Sequence, residues 1–330
     1  MKLQTEYNIQ DIKELLKDDL KIINDLLYKT IEGHSNLIHQ VGDHIFSAGG
    51  KRIRPVLSIL SGKLFNYNSD ELYYLATAVE LIHSATLLHD DVIDNSELRR
   101  GRKTANNLFD NKTSILVGDF LFAESFKLMV KGNSLNALMI LSKASSIISE
   151  GEVKQLELKE KQIFSLEQYL EVITDKTAIL FGAATESSAC IAGRSSSECK
   201  LLKEFGINLG LAFQIVDDIL DYSANDALFG KTIGNDFYEK KITLPIIFLL
   251  QDSNDKEQEE IRNIFHSSQS ENKHLNYIIS LLNNKDIFSK CYDYAQTYIE
   301  NALKILKNFP SSNAKDILEN ICYTSVVRKY

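Results

Sequence analysis

Apolar residues recur at steps of three and four along most of the chain, whereas the alternating pattern of a half-buried strand is scarce. Residues 9–31 follow this pattern and predict one helix. Pro55 predicts the first turn of a helix at 54–65, because proline is tolerated at that place. The same pattern predicts further helices at 70–94, 114–131, 133–158, 166–191, 197–223 and 240–251. The chain is therefore predicted to be all-α.

The composition favours long helices around a large core. Hydrophobic residues make up 44% of the 330, and only three prolines and 15 glycines interrupt the chain. The polar stretches 101–114, 192–198 and 251–260 are predicted to be loops or solvated faces, and 251–275 a peripheral excursion. None of these is long enough to separate two domains, and no repeat of fixed period occurs, so residues 1–330 are predicted to form one domain.

The sequence argues against a nucleic-acid-binding protein, a zinc protein and a membrane protein. A net charge of −8 argues against a protein that binds nucleic acid by neutralising phosphates. The four cysteines lie far apart without zinc-type spacing, which is typical of reduced thiols in the cytoplasm. The N-terminal segment lacks the apolar core of a signal peptide, and no apolar run approaches the roughly 20 residues of a membrane span. We therefore expect a cytoplasmic protein with no membrane span and no nucleic-acid partner.

Two stretches carry the same acidic motif at the end of an apolar helical run. LLHDDVIDNSELRRG (87–101) and LGLAFQIVDDILDY (209–222) both contain DDxxD. Positions four apart share a helix face, so Asp90 can point with Asp94, and Asp217 with Asp221. Like charges so placed repel unless a cation lies between them, and carboxylate oxygens together with substrate phosphates suit magnesium. The alternative is that each motif is a solvated, charged helix end. This alternative is weaker for two matching motifs than it would be for a single one.

The stretch GGKRIRP (49–55) supplies the complementary charge. Its two glycines let the backbone approach a ligand, and Lys51, Arg52 and Arg54 stand ahead of the helix near Pro55. Cations at a helix N-terminus favour a diphosphate, although a basic loop at a helix start is the simpler interpretation of this stretch alone. Arg99 and Arg100 follow the first acidic motif, where they can hold phosphates from the other side.

At this point the chain resembles a known family, the trans-isoprenyl diphosphate synthases, and most of all the bacterial octaprenyl diphosphate synthases. The resemblance runs from about residue 10 to the end. It rests on six motifs in the order typical of the family: GGKRIRP, HSATLLHDDVIDNSELRRG, DKTA (175–178), FQIVDDILDY (213–222), FGKTIGND (229–236) and KITLP (241–245). It implies an all-α homodimer of the isoprenoid synthase type, each subunit a single large helical bundle around a deep central cavity.

The resemblance also implies roles for individual residues. Mg²⁺ would be bound by Asp90, Asp94, Asp217 and Asp221. Isopentenyl diphosphate would be held by Lys51, Arg54, His83 and Arg100. The allylic diphosphate would be held by Arg99, Lys176, Thr177, Gln214 and Lys231, with Asp90, Asp94, Asp217, Lys176 and Arg99 as the catalytic set. The chain departs from the family at Lys240, which stands where EGK before TLP would have glycine, so the turn that carries Lys241 is altered.

The reaction implied is a magnesium-dependent condensation. The allylic diphosphate, expected to be farnesyl, ionises, the alkene of isopentenyl diphosphate attacks, and the released diphosphate takes the proton, while Thr177 and Gln214 lie near the cation. Five residues before Asp90 stands Ala85, where short-chain members often carry an aromatic floor; its small side chain predicts an open tunnel and an octaprenyl product for a quinone side chain. Close helix packing is the alternative for Ala85. Rival functions are a farnesyl or geranylgeranyl synthase, a terpene cyclase and a non-catalytic subunit of a heteromeric synthase.

Overall fold

A computed structural model describes residues 9–99, 101–161, 165–223, 234–267 and 271–326. The first half of the chain forms helices α1 (Ile9–Leu15), α2 (Lys17–Ile31), α3 (Asn36–Ser47), α4 (Ile53–Lys63) and α5 (Asp70–Ile93), a hairpin of β1 (Leu98–Arg99) and β2 (Arg102–Lys103), then α6 (Ala105–Leu108), α7 (Asn111–Lys131) and α8 (Leu135–Lys161). The second half forms α9 (Leu166–Ile173), a π turn (Thr174–Ala178), α10 (Ile179–Ile191), α11 (Ser196–Ser223), α12 (Asn235–Tyr238), α13 (Leu244–Gln251), α14 (Asp255–His266), α15 (Asn272–Asn284), α16 (Ile287–Leu306) and α17 (Asn313–Val326).

The all-α prediction is confirmed, but the helix predicted at 166–191 is interrupted by the π turn, and two other predicted helices are broken or shorter. The helix predicted at 9–31 breaks at Leu16, whose backbone (φ −108°, ψ 20°) leaves the helical region between α1 and α2. The apolar face continues through this break, so periodicity alone cannot detect it. The helix predicted at 240–251 begins instead at Leu244, because Lys240 has a left-handed backbone and Thr243 an extended one.

The predicted polar segments divide between loops and helix faces. Residues 101–114 contain the β hairpin, α6 and the start of α7, which begins where the Asp110 carboxylate accepts a hydrogen bond from the Thr113 amide. Residues 251–260 enter α14 through a reciprocal capping box between Asn254 and Glu257, and most of them remain exposed, as predicted for a solvated face. The helical pattern of α3 and of α15–α17 was not recognised in the sequence.

Three groups of buried apolar residues hold the helices together. The first joins α2, α3, α5, α7 and α8; the second joins α1, α4, α16 and α17 to α10 and α11; the third packs α9 and α12–α16 against α11. Each fully buried leucine or isoleucine contributes roughly 1.5–3 kcal/mol to the free energy of unfolding. Because α11 belongs to two groups, its position is fixed from both sides.

Helices α5 and α11 both carry their acidic motifs to the segment 236–241, where Lys241 donates to Asp94 and the Asp236 amide donates to Asp221. With 24 and 28 residues they span about 36 and 42 Å, and each motif lies near the C-terminal end of its helix. Carboxylates at that end are disfavoured by the helix dipole, which places negative partial charge there. These acidic ends therefore require nearby cations.

The described helices and the four cysteines bear on the predictions about membranes and reduced thiols. Among the helices that the structure describes, none combines the length and the apolarity that crossing a bilayer requires. All four cysteines are free thiols, three of them buried, as predicted. Burial raises the pKa of the Cys199 thiol to about 11.

Candidate active site

Lys176 connects the first acidic motif to α8. Its ammonium group lies 3.8 Å from Asp90, 2.8 Å from Glu152 and 2.9 Å from the side-chain oxygen of Gln155. Burial alone would lower the pKa of Lys176, but Asp90 and Glu152 outweigh it and raise this pKa. Burial also raises the pKa of Asp90, with Lys176 and Arg99 opposing and Asp94 adding to the rise. The motif is thus a buried anion surrounded by cations.

The π turn places Lys176 and Thr177 where α8 and α11 both come close to it. A Cβ on Gly151 of α8 would lie 2.8 Å from the Cβ of Asp175 and 3.1 Å from the Lys176 amide nitrogen. On the opposite side, a Cβ on Gly210 of α11 would lie 2.7 Å from the Cα of Ala178. Only glycine permits both approaches, and π turns inside helices are frequent at functional sites. The π turn is therefore held between two glycines.

Lys241 links the end of the first motif to the second. Its ammonium group donates to Asp94 at 2.9 Å and lies 2.5 Å from Glu239. The buried Asp236 donates its backbone N–H to Asp221 at 3.0 Å, and the nearby Lys241 opposes the rise in the pKa of Asp236 that burial causes. Lys241 therefore pairs with the first motif and lies near Asp236, which is hydrogen-bonded to the second motif.

Lys240 explains why the altered turn still positions Lys241. Its backbone has φ 59°, the left-handed conformation that glycine adopts most readily, so the turn keeps a glycine-like shape. The side chain compensates for the strain: its ammonium group donates to the carbonyl of Ile264 at 3.0 Å and lies 5.3 Å from the Phe237 ring centroid and 5.9 Å from that of Phe265. The side chain ties the turn to α14.

This arrangement predicts different results for two substitutions at one position. Lys240→Ala keeps the backbone strain and loses the hydrogen bond and ring contacts, so the free energy of unfolding should fall by about 1–2 kcal/mol. Lys240→Gly also loses these contacts but relieves about 1 kcal/mol of strain, so it should lie close to wild type. Denaturant unfolding measures both. The control Asp286→Gly, at φ 54° without a side-chain cap, should gain stability; equal losses in both Lys240 variants would contradict this account.

A hydrogen-bonded chain leads from the π turn to the second motif. The Thr177 hydroxyl donates to Gln214 Oε1 at 2.8 Å, and Gln214 Nε2 donates to Asp218 Oδ1 at 2.7 Å. The hydroxyl of Tyr169 donates to the other oxygen of Asp218 at 2.7 Å. Burial raises the pKa of Asp218 to about 7, although both hydrogen bonds oppose that rise.

The second aspartate of each motif has a different role from the first and last. Asp91 and Asp218 are 3% and 5% exposed, because they lie about 100° around the helix from their neighbours. Asp91 accepts hydrogen bonds from Nε and Nη2 of Arg99 at 2.9 and 2.7 Å. Arg99 is therefore fixed against the first motif, and its predicted contact with the allylic diphosphate stays a prediction.

A cavity opens between α8, α9, the π turn, α11 and the segment 236–243. Of the residues predicted from sequence to bind the allylic substrate, Lys176, Thr177 and Gln214 line it. Its other walls are formed by Gln155, Leu158, Ser165, Gln168, Tyr169, Val172, Ile173, Asp218, Asp236, Lys240, Lys241, Ile242 and Thr243. The lining combines charged and polar groups with the apolar side chains of Leu158, Val172, Ile173 and Ile242, as an amphipathic ligand requires.

The three basic residues of GGKRIRP are used differently. Arg52, with φ 49°, forms an ion pair with the buried Glu80 at 2.5 Å and donates to the carbonyl of Phe46 at 2.9 Å, so its charge serves the fold rather than a ligand. The guanidinium of Arg54 lies 4.7 Å from the centroid of the Phe181 ring. Lys51 is exposed and borders a small apolar pocket between α1, α4 and α17.

For His83 and Ala85 the structure gives a position on α5 and a degree of burial. His83 is half-buried on α5, two turns before Asp90, and Ala85 is fully buried on the same helix within the first apolar group. Arg100 and Lys231 lie outside the described residues, so their predicted roles stay predictions. Sequence analysis missed Glu152, Gln155 and Tyr169; the only sequence signal was an i,i+3 pair of polar residues on α8.

The acidic motifs suit a hard divalent cation. Each supplies two carboxylates four residues apart on one helix, and oxygen ligands of this kind bind Mg²⁺ together with water and substrate phosphates. Within the described residues, no set of three or more acidic, histidine or cysteine side chains gathers as a self-contained metal site. The donor set fits a metal whose coordination is completed by the substrate.

Comparison with known proteins agrees with this site. The polyprenyl synthetase family matches residues 35–282. The octaprenyl diphosphate synthase of Haemophilus influenzae is 36% identical over 100% of both chains, and the geranyl-diphosphate-specific all-trans-nonaprenyl-diphosphate synthase of Rhodobacter capsulatus is 36% identical over 94% of this chain and 95% of its own. The crystal structure of a polyprenyl synthase from Caulobacter crescentus, complexed with calcium and isoprenyl diphosphate, superposes with a TM-score of 0.94 at 37% identity, covering 99% of this chain and 100% of that one. The chain therefore has the isoprenoid synthase fold and belongs to the polyprenyl synthetase family of prenyltransferases.

Proposed function

We propose that this prenyltransferase condenses isopentenyl diphosphate onto an allylic diphosphate, farnesyl diphosphate being the expected primer. The observation that carries the proposal is that Lys176 and Lys241 pair with the first acidic motif and line a cavity, together with Asp218 of the second motif and several apolar side chains. Such a site can neutralise a leaving diphosphate at one end and accept a hydrocarbon chain at the other. Consumption of labelled isopentenyl diphosphate by the purified chain tests it.

Mg²⁺ is the proposed cofactor, with Asp90, Asp94, Asp217 and Asp221 as its ligands. When bound, it supplies positive charge that neutralises the diphosphate as its bond to carbon breaks. Lys176 would stabilise the same charge, and a fixed cation in a buried site costs no reorganisation when the bond breaks.

The remaining residues of the proposed site divide between the two substrates. Arg99 and Lys231 complete the allylic diphosphate site, and Thr177 and Gln214 offer oxygen atoms near the carbon that becomes electron-poor. The apolar wall excludes water from that carbon, and the released diphosphate takes the proton. Isopentenyl diphosphate is assigned to Lys51, Arg54, His83 and Arg100.

An octaprenyl product for a quinone side chain is the proposed outcome. The 36% identity to an octaprenyl synthase supports this length, although a nonaprenyl synthase is equally similar. We place Ala85 under the diphosphates, five residues before Asp90, where its small side chain leaves room for a growing chain.

Ala85→Phe is accordingly expected to shorten the main product by several isoprene units. Chromatography of the dephosphorylated products against standards measures this. Ala76→Phe is the matched control, because Ala76 is equally buried on the opposite face of α5. Overpacking costs about 1–3 kcal/mol at either position, but only Ala85→Phe should alter product length. An unchanged distribution would refute the assignment and favour ordinary helix packing.

A homodimer is the proposed assembly, with the apolar side chains of α7 and α8 at its interface. Leu116 and Met139 are 66% and 67% exposed, and Leu135 lies nearby in sequence with 83% exposed. Large side chains exposed this far on adjoining helices mark an association surface. Residues 1–330 would act as one domain in each subunit, in the cytoplasm.

Charge on that surface should therefore separate the subunits. Leu116→Glu and Met139→Glu together are expected to halve the mass measured by light scattering, from twice the 37.4 kDa of one chain to a single copy. The control Leu37→Glu, at a half-exposed leucine on α3, should remain dimeric. A wild-type monomer would contradict the proposal.

The second candidate is a non-catalytic subunit of a heteromeric synthase. Such a subunit would be expected to lose one acidic motif or the basic loop, and this chain retains both. Isopentenyl diphosphate consumption by the chain alone separates the two candidates.

A further inference from the structure

Tyr169 reaches the second acidic motif from a different helix. It lies in α9 with its ring packed in the third apolar group, and its hydroxyl donates to Asp218 across 49 residues of chain. Asp218 accepts a second hydrogen bond from Gln214 Nε2, so both of its oxygens are engaged inside the protein. The two donors hold the side chain of Asp218 in one orientation.

This arrangement fixes the direction of every hydrogen bond in the chain. The amide nitrogen of Gln214 faces Asp218, which also accepts from Tyr169, and the amide oxygen of Gln214 faces Thr177. The Thr177 hydroxyl therefore donates its proton to Gln214. Its oxygen lone pairs, rather than its proton, are left for the cavity that Thr177 lines.

The reaction makes this direction matter. An allylic carbon that loses diphosphate becomes electron-poor, and preorganised dipoles stabilise charge only when their negative ends face it. If the amide of Gln214 rotated by half a turn, its nitrogen would donate to Thr177. The Thr177 proton would then be released toward the cavity and oppose the developing charge.

We propose that Tyr169 is a positioning residue for the condensation, which fixes Asp218 and through it the orientation of Gln214 and Thr177. The inference rests on the proposed function and adds a residue that makes no contact with the reacting atoms. Because removal of the Tyr169 hydroxyl takes away none of the charged groups assigned to the two diphosphates, binding and turnover should respond differently.

Tyr169→Phe tests this, because it keeps the buried ring and removes only the donor. We expect kcat to fall about tenfold while KM for isopentenyl diphosphate stays within about twofold. In a Thr177→Val background the same change should cost almost nothing, since the group it orients is gone. In a Thr177→Ser background, which keeps the hydroxyl, the tenfold loss should return.

The control is a second tyrosine–aspartate pair. The Tyr73 hydroxyl donates to the buried Asp19 at 2.8 Å, between α5 and α2, so Tyr73→Phe removes an equivalent bond away from the cavity and should lower stability alone. A Tyr169→Phe variant that behaves like Tyr73→Phe, or whose loss in kcat adds fully to that of Thr177→Val, would overturn the assignment. Asp218→Asn provides a second variant with the same expected loss. A folded wild-type chain that does not condense would instead overturn the proposed function, and this inference with it.

Discussion

Asp90→Ala and Asp217→Ala are each expected to lower kcat on the order of 10³-fold or more, because each removes charge that neutralises the leaving diphosphate. The two residues lie near the ends of different helices, α5 and α11, so a large loss in both would show that the two motifs serve one reaction. Steady-state turnover at saturating Mg²⁺ measures the effect.

Asn substitutions at the same two positions separate charge from packing, since they keep the shape of the side chain. They should lose nearly as much activity as the Ala variants. Asp293→Asn, at an exposed aspartate on α16, serves as the control and should turn over like wild type. Turnover near wild type for both Asp90→Ala and Asp217→Ala would disprove the metal assignment.

Lys176→Met is expected to lower kcat by about 10²- to 10³-fold, the loss typical of one preorganised charge at a transition state. It also leaves Asp90 and Glu152 without the cation that lies between them. Because a lone buried carboxylate is costly, these groups should bind protons more tightly in the variant.

The matched control is Lys161→Met on α8, where the lysine pairs with Glu157 at the surface at 3.5 Å. Surface pairs contribute only about 0–1 kcal/mol, so both activity and stability should change little. If Lys176→Met kept more than about a third of wild-type kcat, Lys176 would hold α8 against the π turn without a part in the reaction.

The parts of the site that sequence predicted are those defined by spacing along one helix. Positions four apart share a face, which places Asp90 with Asp94, whereas the turn of about 100° per residue points Asp91 away from them. Both consequences follow from the sequence alone. The sequence also indicated that Glu80 needs a buried partner, because it is the lone acid in the apolar run 75–82. The structure shows that this partner is Arg52.

Contacts between distant segments could not be predicted in this way. Lys241 meets Asp94 across 147 residues and Tyr169 meets Asp218 across 49, and periodicity identifies the face of a helix but not its neighbour. The close approach of Gly151 and Gly210 to the π turn has the same origin. The glycine-like turn at Lys240 could not be predicted from the sequence, because the contacts that compensate its strain come from α14, which is later in the chain.

The most direct test of the proposed reaction is a product assay. The purified chain is incubated with Mg²⁺, labelled isopentenyl diphosphate and farnesyl diphosphate, and the dephosphorylated chains are sized by reversed-phase chromatography, with a chelator as the control. We predict one dominant long product near the octaprenyl standard, lost when the chelator is added. A short product would retain the acidic site and refute the role of Ala85. Failure of the folded chain to consume isopentenyl diphosphate would contradict the central claim.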